Sequence, residues 1–129
     1  MLVSIAVVLA SAATAGAAAD ADQVKVLPGW NEALPSPMYS GYLDVNGGKH
    51  LHYLLSETEG DKTKDPLVFW FNGGPGCSSL DGFFYEHGAF HVTEPIVNTS
   101  QGVPELYLNP YRWSALANVV SSGLLTLSA

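Results

Sequence analysis

The sequence predicts an α/β fold in which an antiparallel hairpin leads into a central mixed sheet, incomplete within these 129 residues. Three observations point to it. Two extended runs flank Asn46-Gly47-Gly48, a turn whose residue types tolerate positive φ. Leu67-Val68-Phe69-Trp70-Phe71 is an unbroken apolar run, the pattern of a strand covered on both faces in the middle of a sheet. A glycine-rich loop and a short helical segment follow that run. A sheet covered above and below requires helices on both faces, more than this chain supplies.

Taken in order, Leu2 to Ala13 is almost wholly small or apolar and is followed by Ala15-Gly16-Ala17 and Ala17-Ala18-Ala19. Both triplets fit the small-x-small pattern of a signal-peptidase site. The apolar core is about 12 residues, too short to span a hydrocarbon layer of roughly 30 Å as a helix. Residues 1–19 therefore read as a cleaved secretory signal peptide, although no Lys or Arg precedes Lys25. From Asp20 to Pro37 the prolines at 28, 35 and 37 remove backbone donors and restrict their predecessors, so no helix is expected. Met38 to Val45 and Lys49 to Ser56 form the hairpin, with Leu51, Tyr53 and Leu55 on one face and His50, His52 and Leu54 on the other. Glu57 to Asp65 is a charged, solvated loop. After the apolar strand, Ser78 to His87 predicts a short helix with Gly88 as its C-cap and Ser78 or Ser79 as its N-cap. Phe90–Glu94, Glu105–Leu108 and Ala117–Ser121 read as short strands.

Composition excludes several function classes. Twelve acidic against five basic residues give a net charge of −7, which repels nucleic-acid phosphates. No basic amphipathic stretch suggests a membrane surface once the signal is removed. Hydrophobic residues make up 47% of the chain, enough for a packed core and too many for a disordered tail. His50 and His52 alternate along a strand, and His87 and His91 are separated by Gly88. Neither pair is read as a metal site, and no cofactor is expected. Cys77 is the single cysteine; an odd Cys in a secreted chain implies an absent partner or a reactive thiol, against the alternative of a small buried hydrophobe.

The chemistry is concentrated in Trp70-Phe71-Asn72-Gly73-Gly74-Pro75-Gly76-Cys77-Ser78-Ser79-Leu80-Asp81-Gly82. Glycines allow positive φ and close approach to a ligand. Successive exposed N–H groups make a concavity for negative charge, the machinery of an oxyanion hole. The run closely resembles the hallmark loop of the serine carboxypeptidases, which are α/β-hydrolases. Ser40-Gly41-Tyr42, Phe84-Tyr85-Glu86-His87-Gly88, Asn109-Pro110-Tyr111-Arg112-Trp113 and Ala117-Asn118-Val119-Val120 resemble the family's flanking segments in the same order. On this resemblance, residues 20–129 form the N-terminal portion of a serine carboxypeptidase domain ending before the nucleophile elbow.

The resemblance implies that the Gly74 N–H is an oxyanion donor and that Asn72 and the Gly73 N–H hold the substrate's terminal carboxylate. It places Trp70 beside the site. Glu86 would share a proton with a second Glu that precedes the nucleophile, because two close carboxylates cannot both ionise cheaply. Cys77 would join a downstream cysteine in a disulfide. Two departures stand out. Ala89 occupies the place where the family usually has Pro, and Ser121 to Ala129 does not continue as the family does. No G-x-S-x-G elbow occurs; Gly76-Cys77-Ser78-Ser79-Leu80 lacks the closing glycine.

The implied activity is release of C-terminal amino acids from peptides through a serine acyl-enzyme, with a peptide C-terminus as partner and a secreted or vacuolar/lysosomal destination. The chain as given lacks the Ser, Asp and His and is expected to be inactive alone, as a truncated, spliced or decayed product. An acyltransferase within the same fold shares the loop. A phosphate-cradling loop fits badly, since no Gly-Lys-Ser/Thr follows. Asn98-Thr99-Ser100 is a candidate glycosylation sequon at Asn98.

Overall fold

A computed structural model describes residues 20–74, 77–93 and 102–122. The expected signal peptide, Pro75, Gly76, the Asn98 sequon and the segment after Ser122 lie outside the described residues.

The hairpin forms as its alternation predicts, with β1 (Met38–Val45) antiparallel to β2 (Lys49–Ser56) and Val45 paired to Lys49. The turn between them places Gly47 at φ +83° and Gly48 at φ +69°, where a side chain would be strained. Apart from helical Asp20 and Ala21, the preceding segment is irregular. It is tied down at Asp22, whose Oδ2 accepts a 2.6 Å hydrogen bond from the Tyr53 hydroxyl. Burial, reinforced by that carboxylate, pushes the Tyr53 phenol up to about 12. Gly41 lies against the Asp22 carboxylate, in space that any Cβ would occupy.

β2 then pairs antiparallel with β6 (Asn118–Ser122), which runs parallel to β3 (Leu67–Trp70). The result is a mixed four-stranded sheet in the order β1-β2-β6-β3. Between β3 and β6 the chain makes α1 (Leu80–Tyr85), then a separate antiparallel ribbon of β4 (Phe90–Val92) and β5 (Leu106–Leu108), then a 3₁₀ turn at Trp113–Ala115. The helix is shorter than the sequence suggests. Its C-cap is Glu86, whose N–H and that of His87 both reach Gly82 O at 3.0 Å. Gly88 follows outside it, where a Cβ would fall on the Phe83 carbonyl.

The core joins the three pieces: Met38 and Leu54 from the hairpin, Phe83 from α1, Phe90 and Leu106 from the ribbon, and Ala89 just before it. Trp30 of the leading segment packs on Phe90, with ring centroids 4.9 Å apart. Asn118 stitches the solvated loop to the sheet. It accepts from Thr58 N at 3.1 Å and donates to the carbonyls of Lys62 and Asp65, both at 3.3 Å. Arg112 closes on Glu59 through two hydrogen bonds of 2.6 and 2.7 Å, and that guanidinium holds the Glu59 carboxyl below its ordinary range.

One expectation is corrected. The apolar run is the edge of the sheet, with β6 in the interior position, and Leu67, Phe69 and Phe71 are 56–59% exposed. Val68 and Trp70, on the other face, are partly covered. The physical reason is pairing: among the described residues β3 hydrogen-bonds to β6 alone, and α1 approaches only the Trp70 side, where Gly82 lies against the indole. Phe69 and Phe71 instead stack on each other, centroids 6.5 Å apart. No helix among the described residues is long and apolar enough to cross a membrane.

Candidate functional site

β3 ends at Trp70 and delivers the chain into the glycine loop, so the loop's geometry begins with the indole. Trp70 Nε1 donates a 2.5 Å hydrogen bond to Asn72 Oδ1. An indole N–H is only a donor, so the carboxamide oxygen must face it. That contact fixes the Asn72 rotamer and turns the Nδ2 amino group, with its two donors, away from the indole. The backbone of the same residue is held separately. Asn72 N donates to Ser79 Oγ at 3.1 Å, and Ser79 Oγ in turn donates to the Ser122 carbonyl at 2.5 Å. Ser79 is thus the N-cap by position, but its hydroxyl fastens the loop to the end of β6 and caps nothing. Ser78 Oγ, by contrast, accepts from Leu80 N at 3.2 Å.

Beyond Asn72, Gly73 and Gly74 are exposed, and neither amide hydrogen bonds to a described residue. Gly74 sits at φ +94°, and a Cβ there would meet Cys77 Sγ at 3.1 Å. The loop closes through Cys77 N, which donates to Gly74 O at 3.1 Å. Cys77 carries an exposed free thiol, which removes the reading of a buried small hydrophobe. The local chemistry is therefore donor-rich: a carboxamide NH₂ and two main-chain amides in succession, with the carboxamide oxygen already engaged by Trp70. Such a set suits an anion.

Of the residues singled out in the sequence, the structure joins Trp70 to Asn72 and places Gly73 and Gly74 directly after them. It does not bring Glu86 into that group. Glu86 is exposed at the end of α1, and its carboxylate makes no hydrogen bond or ion pair among the described residues. Its carbonyl accepts from Asn109 Nδ2 at 3.1 Å.

Four residues that pattern alone did not assign to the site complete the surroundings. Gly82 lies inside α1, where a Cβ would fall on Trp70 Nε1 and within 2.8 Å of Asn72 Oδ1. The signal for it was available, because glycine in a helix interior costs about 1 kcal/mol and usually marks a close approach. Ser79 has been described. His87 is 2% exposed and packs on Trp70, with ring centroids 4.4 Å apart, while its Nε2 lies 3.1 Å from Ser121 Oγ. Trp113 closes the cluster edge-on to Trp70 at 5.6 Å.

Burial pulls the His87 imidazole down from 6.5 to about 4. The folded chain thus keeps this ring neutral where the unfolded chain takes up a proton. Its contribution to stability is complete above pH 6.5 and falls as pH drops toward 4. With ~1.4 kcal/mol per unit of pKa difference, the loss amounts to about 3 kcal/mol across that window. Urea unfolding at pH 7 and pH 4.5 is expected to show it, and His87→Phe to flatten the slope. An equal slope in the variant would assign the loss to other groups.

Comparison with known proteins bears on these features. The sequence profile of one family, described as serine carboxypeptidase, matches residues 28–121. The chain is 51% identical over 96 residues to "Serine carboxypeptidase-like 20" of Arabidopsis thaliana, covering 73% of this chain and 19% of that protein. It is 43% identical over 104 residues to the "Lysosomal protective protein" of Mus musculus, covering 81% of this chain and 20% of that one. Its fold is similar to the crystal structure of Kex1(Δ)p, a prohormone-processing carboxypeptidase from Saccharomyces cerevisiae. That match has a TM-score of 0.52 and 26% identity over 67% of this chain and 19% of the other. The chain thus spans 19% and 20% of the two relatives' lengths.

Proposed function

The chain belongs to the serine carboxypeptidase family, and from that premise we propose that residues 70–74 are the part of such an enzyme that receives the free C-terminus of a peptide. Asn72 Nδ2 and the Gly73 N–H hold the terminal carboxylate, and the Gly74 N–H donates to the oxyanion of the tetrahedral intermediate. The observation that carries this reading is the Trp70–Asn72 hydrogen bond, which commits the carboxamide oxygen and leaves donors for the ligand. An oxyanion donor of this kind is worth roughly 3 kcal/mol of transition-state stabilisation.

The rest of the assignment follows from the same reading. Glu86, exposed and with its carboxylate unengaged among the described residues, meets a second carboxyl supplied from beyond these residues, and the exposed Cys77 thiol pairs with a cysteine there. Acyl transfer needs a Ser-His-Asp set, and these 129 residues contain no G-x-S-x-G elbow. The chain by itself is therefore a recognition element without turnover. The leader-like residues 1–19, the Asn98 sequon and the similarity to a mouse protein named as lysosomal support passage through the secretory pathway, with Asn98 glycosylated.

The test is a titration of the ¹⁵N-labelled chain with an N-acylated dipeptide bearing a free carboxylate and, separately, with its C-terminal amide. Saturable shifts of the Asn72 side-chain NH₂ and the Gly73 and Gly74 amides are expected with the acid alone. No response, or an equal response to the amide, defeats the carboxylate reading. Mass spectrometry of the same mixtures is expected to find the dipeptide intact.

A further inference from the structure

His87 is an expensive residue for its place. It is 2% exposed, its Nδ1 has no hydrogen-bond partner among the described residues, and an unsatisfied buried polar atom costs about 1–3 kcal/mol. A leucine would fill the volume without that cost. The ring's contacts indicate what it does instead. One edge is held to β6 through Ser121 Oγ, and Ser121 is the residue paired with Trp70 in the parallel register of β3 and β6. Its face lies against the Trp70 indole at a centroid distance of 4.4 Å. Trp113 packs on both rings, at 5.3 Å from His87 and 5.6 Å from Trp70. The indole's far edge carries the Nε1–H that fixes Asn72.

From this chain of contacts we propose that His87 is a positioning residue: clamped by Ser121, it sets the plane of Trp70 and so aims the Asn72 carboxamide. The proposal rests on the carboxylate reading only for its functional consequence. The geometry itself is independent of any ligand. Two ties then reach the loop from β6. One runs from Ser122 through Ser79 to the Asn72 main chain, and the other from Ser121 through His87 and Trp70 to the Asn72 side chain. The first fixes where the residue is, and the second fixes which way its donors point.

The neutral imidazole suits this position. A ring held uncharged down to about pH 4 keeps one nitrogen as an acceptor and one as a donor, so the Ser121 bond persists over the range in which exposed histidines become charged.

The experiment uses the full chain and two variants, His87→Leu and Ser121→Ala, the second removing only the hydroxyl. Two readouts are taken. The first is the Trp70 indole ¹H–¹⁵N resonance and its hydrogen-exchange rate without ligand. The second is the affinity for the free-carboxylate dipeptide. Both variants are expected to move the Trp70 indole resonance upfield and speed its exchange. His87→Leu is expected to weaken dipeptide binding about 10-fold, close to 1.4 kcal/mol, and Ser121→Ala less. Loss of the imidazole ring current shifts the indole in His87→Leu whatever the histidine does. The deciding variant is Ser121→Ala, in which a merely structural histidine would leave the indole resonance and its exchange rate in place. An unmoved Trp70 resonance in folded Ser121→Ala therefore overturns the proposal, and it does so even if His87→Leu does not fold. If the unsubstituted chain fails to bind the dipeptide, the carboxylate reading falls, while the ligand-free resonance still decides the positioning of Trp70.

Discussion

Gly82→Ala is expected to abolish the carboxylate-specific response of the loop, with at least a 10-fold loss of dipeptide affinity and a large shift of the Trp70 indole resonance. The new methyl would fall on Trp70 Nε1 and within 2.8 Å of Asn72 Oδ1, so the two atoms whose contact defines the site cannot both stay. Neither neighbour is the free end of a flexible chain, since the indole is packed between His87 and Trp113. The overlap costs about 1–3 kcal/mol in packing, partly offset by roughly 1 kcal/mol of better helix propensity. The variant is therefore expected to fold with a net loss of about 0–2 kcal/mol while losing recognition. Unfolding and titration of the same sample check this, and retained affinity would show that the loop has another way to present its donors.

Asn109→Leu carries the largest expected loss of stability, about 3 kcal/mol by chemical unfolding. Asn109 is completely buried, donates to the carbonyls of Glu86 and Gly88 at 3.1 and 2.9 Å, and accepts from Tyr111 N at 2.9 Å. Removing it strands those groups around the turn that leads from α1 into β4, and unsatisfied buried groups cost about 1–3 kcal/mol each. Asn109→Asp makes a sharper test. One oxygen of its carboxylate can still accept from Tyr111, but the other takes the place of Nδ2 and is set against two carbonyls. The Asp variant is therefore expected to be less stable at pH 7 than at pH 4, after correction for the slope of the parent chain. A loss below 1 kcal/mol in the Leu variant would mean that the turn finds other partners.

The exposed apolar row of Leu67, Phe69 and Phe71 shows how reading the pattern succeeds and where it stops. Apolar on both faces, the run correctly predicts a strand of a mixed sheet. It cannot say what lies over each face, because cover comes from other parts of a chain. The helix boundaries missed for a related reason. Gly88 resembles a C-cap by type, but the helix closes at Glu86, where two amides converge on Gly82 O.

What the amino-acid sequence determined by itself is whatever depends on neighbours along the chain: the hairpin and its two left-handed glycines, the strand-to-loop delivery of Asn72, Gly73 and Gly74, and the family to which that loop points. Only the tertiary structure decided that Trp70 orients Asn72, that Ser79 ties the loop to β6, and that His87 and Gly82 crowd around the indole. Those contacts join residues brought together by the parallel pairing of β3 with β6 across a crossover of nearly fifty residues. Local periodicity records which face of an element is apolar. It holds no information about which distant hydroxyl or ring that face will meet.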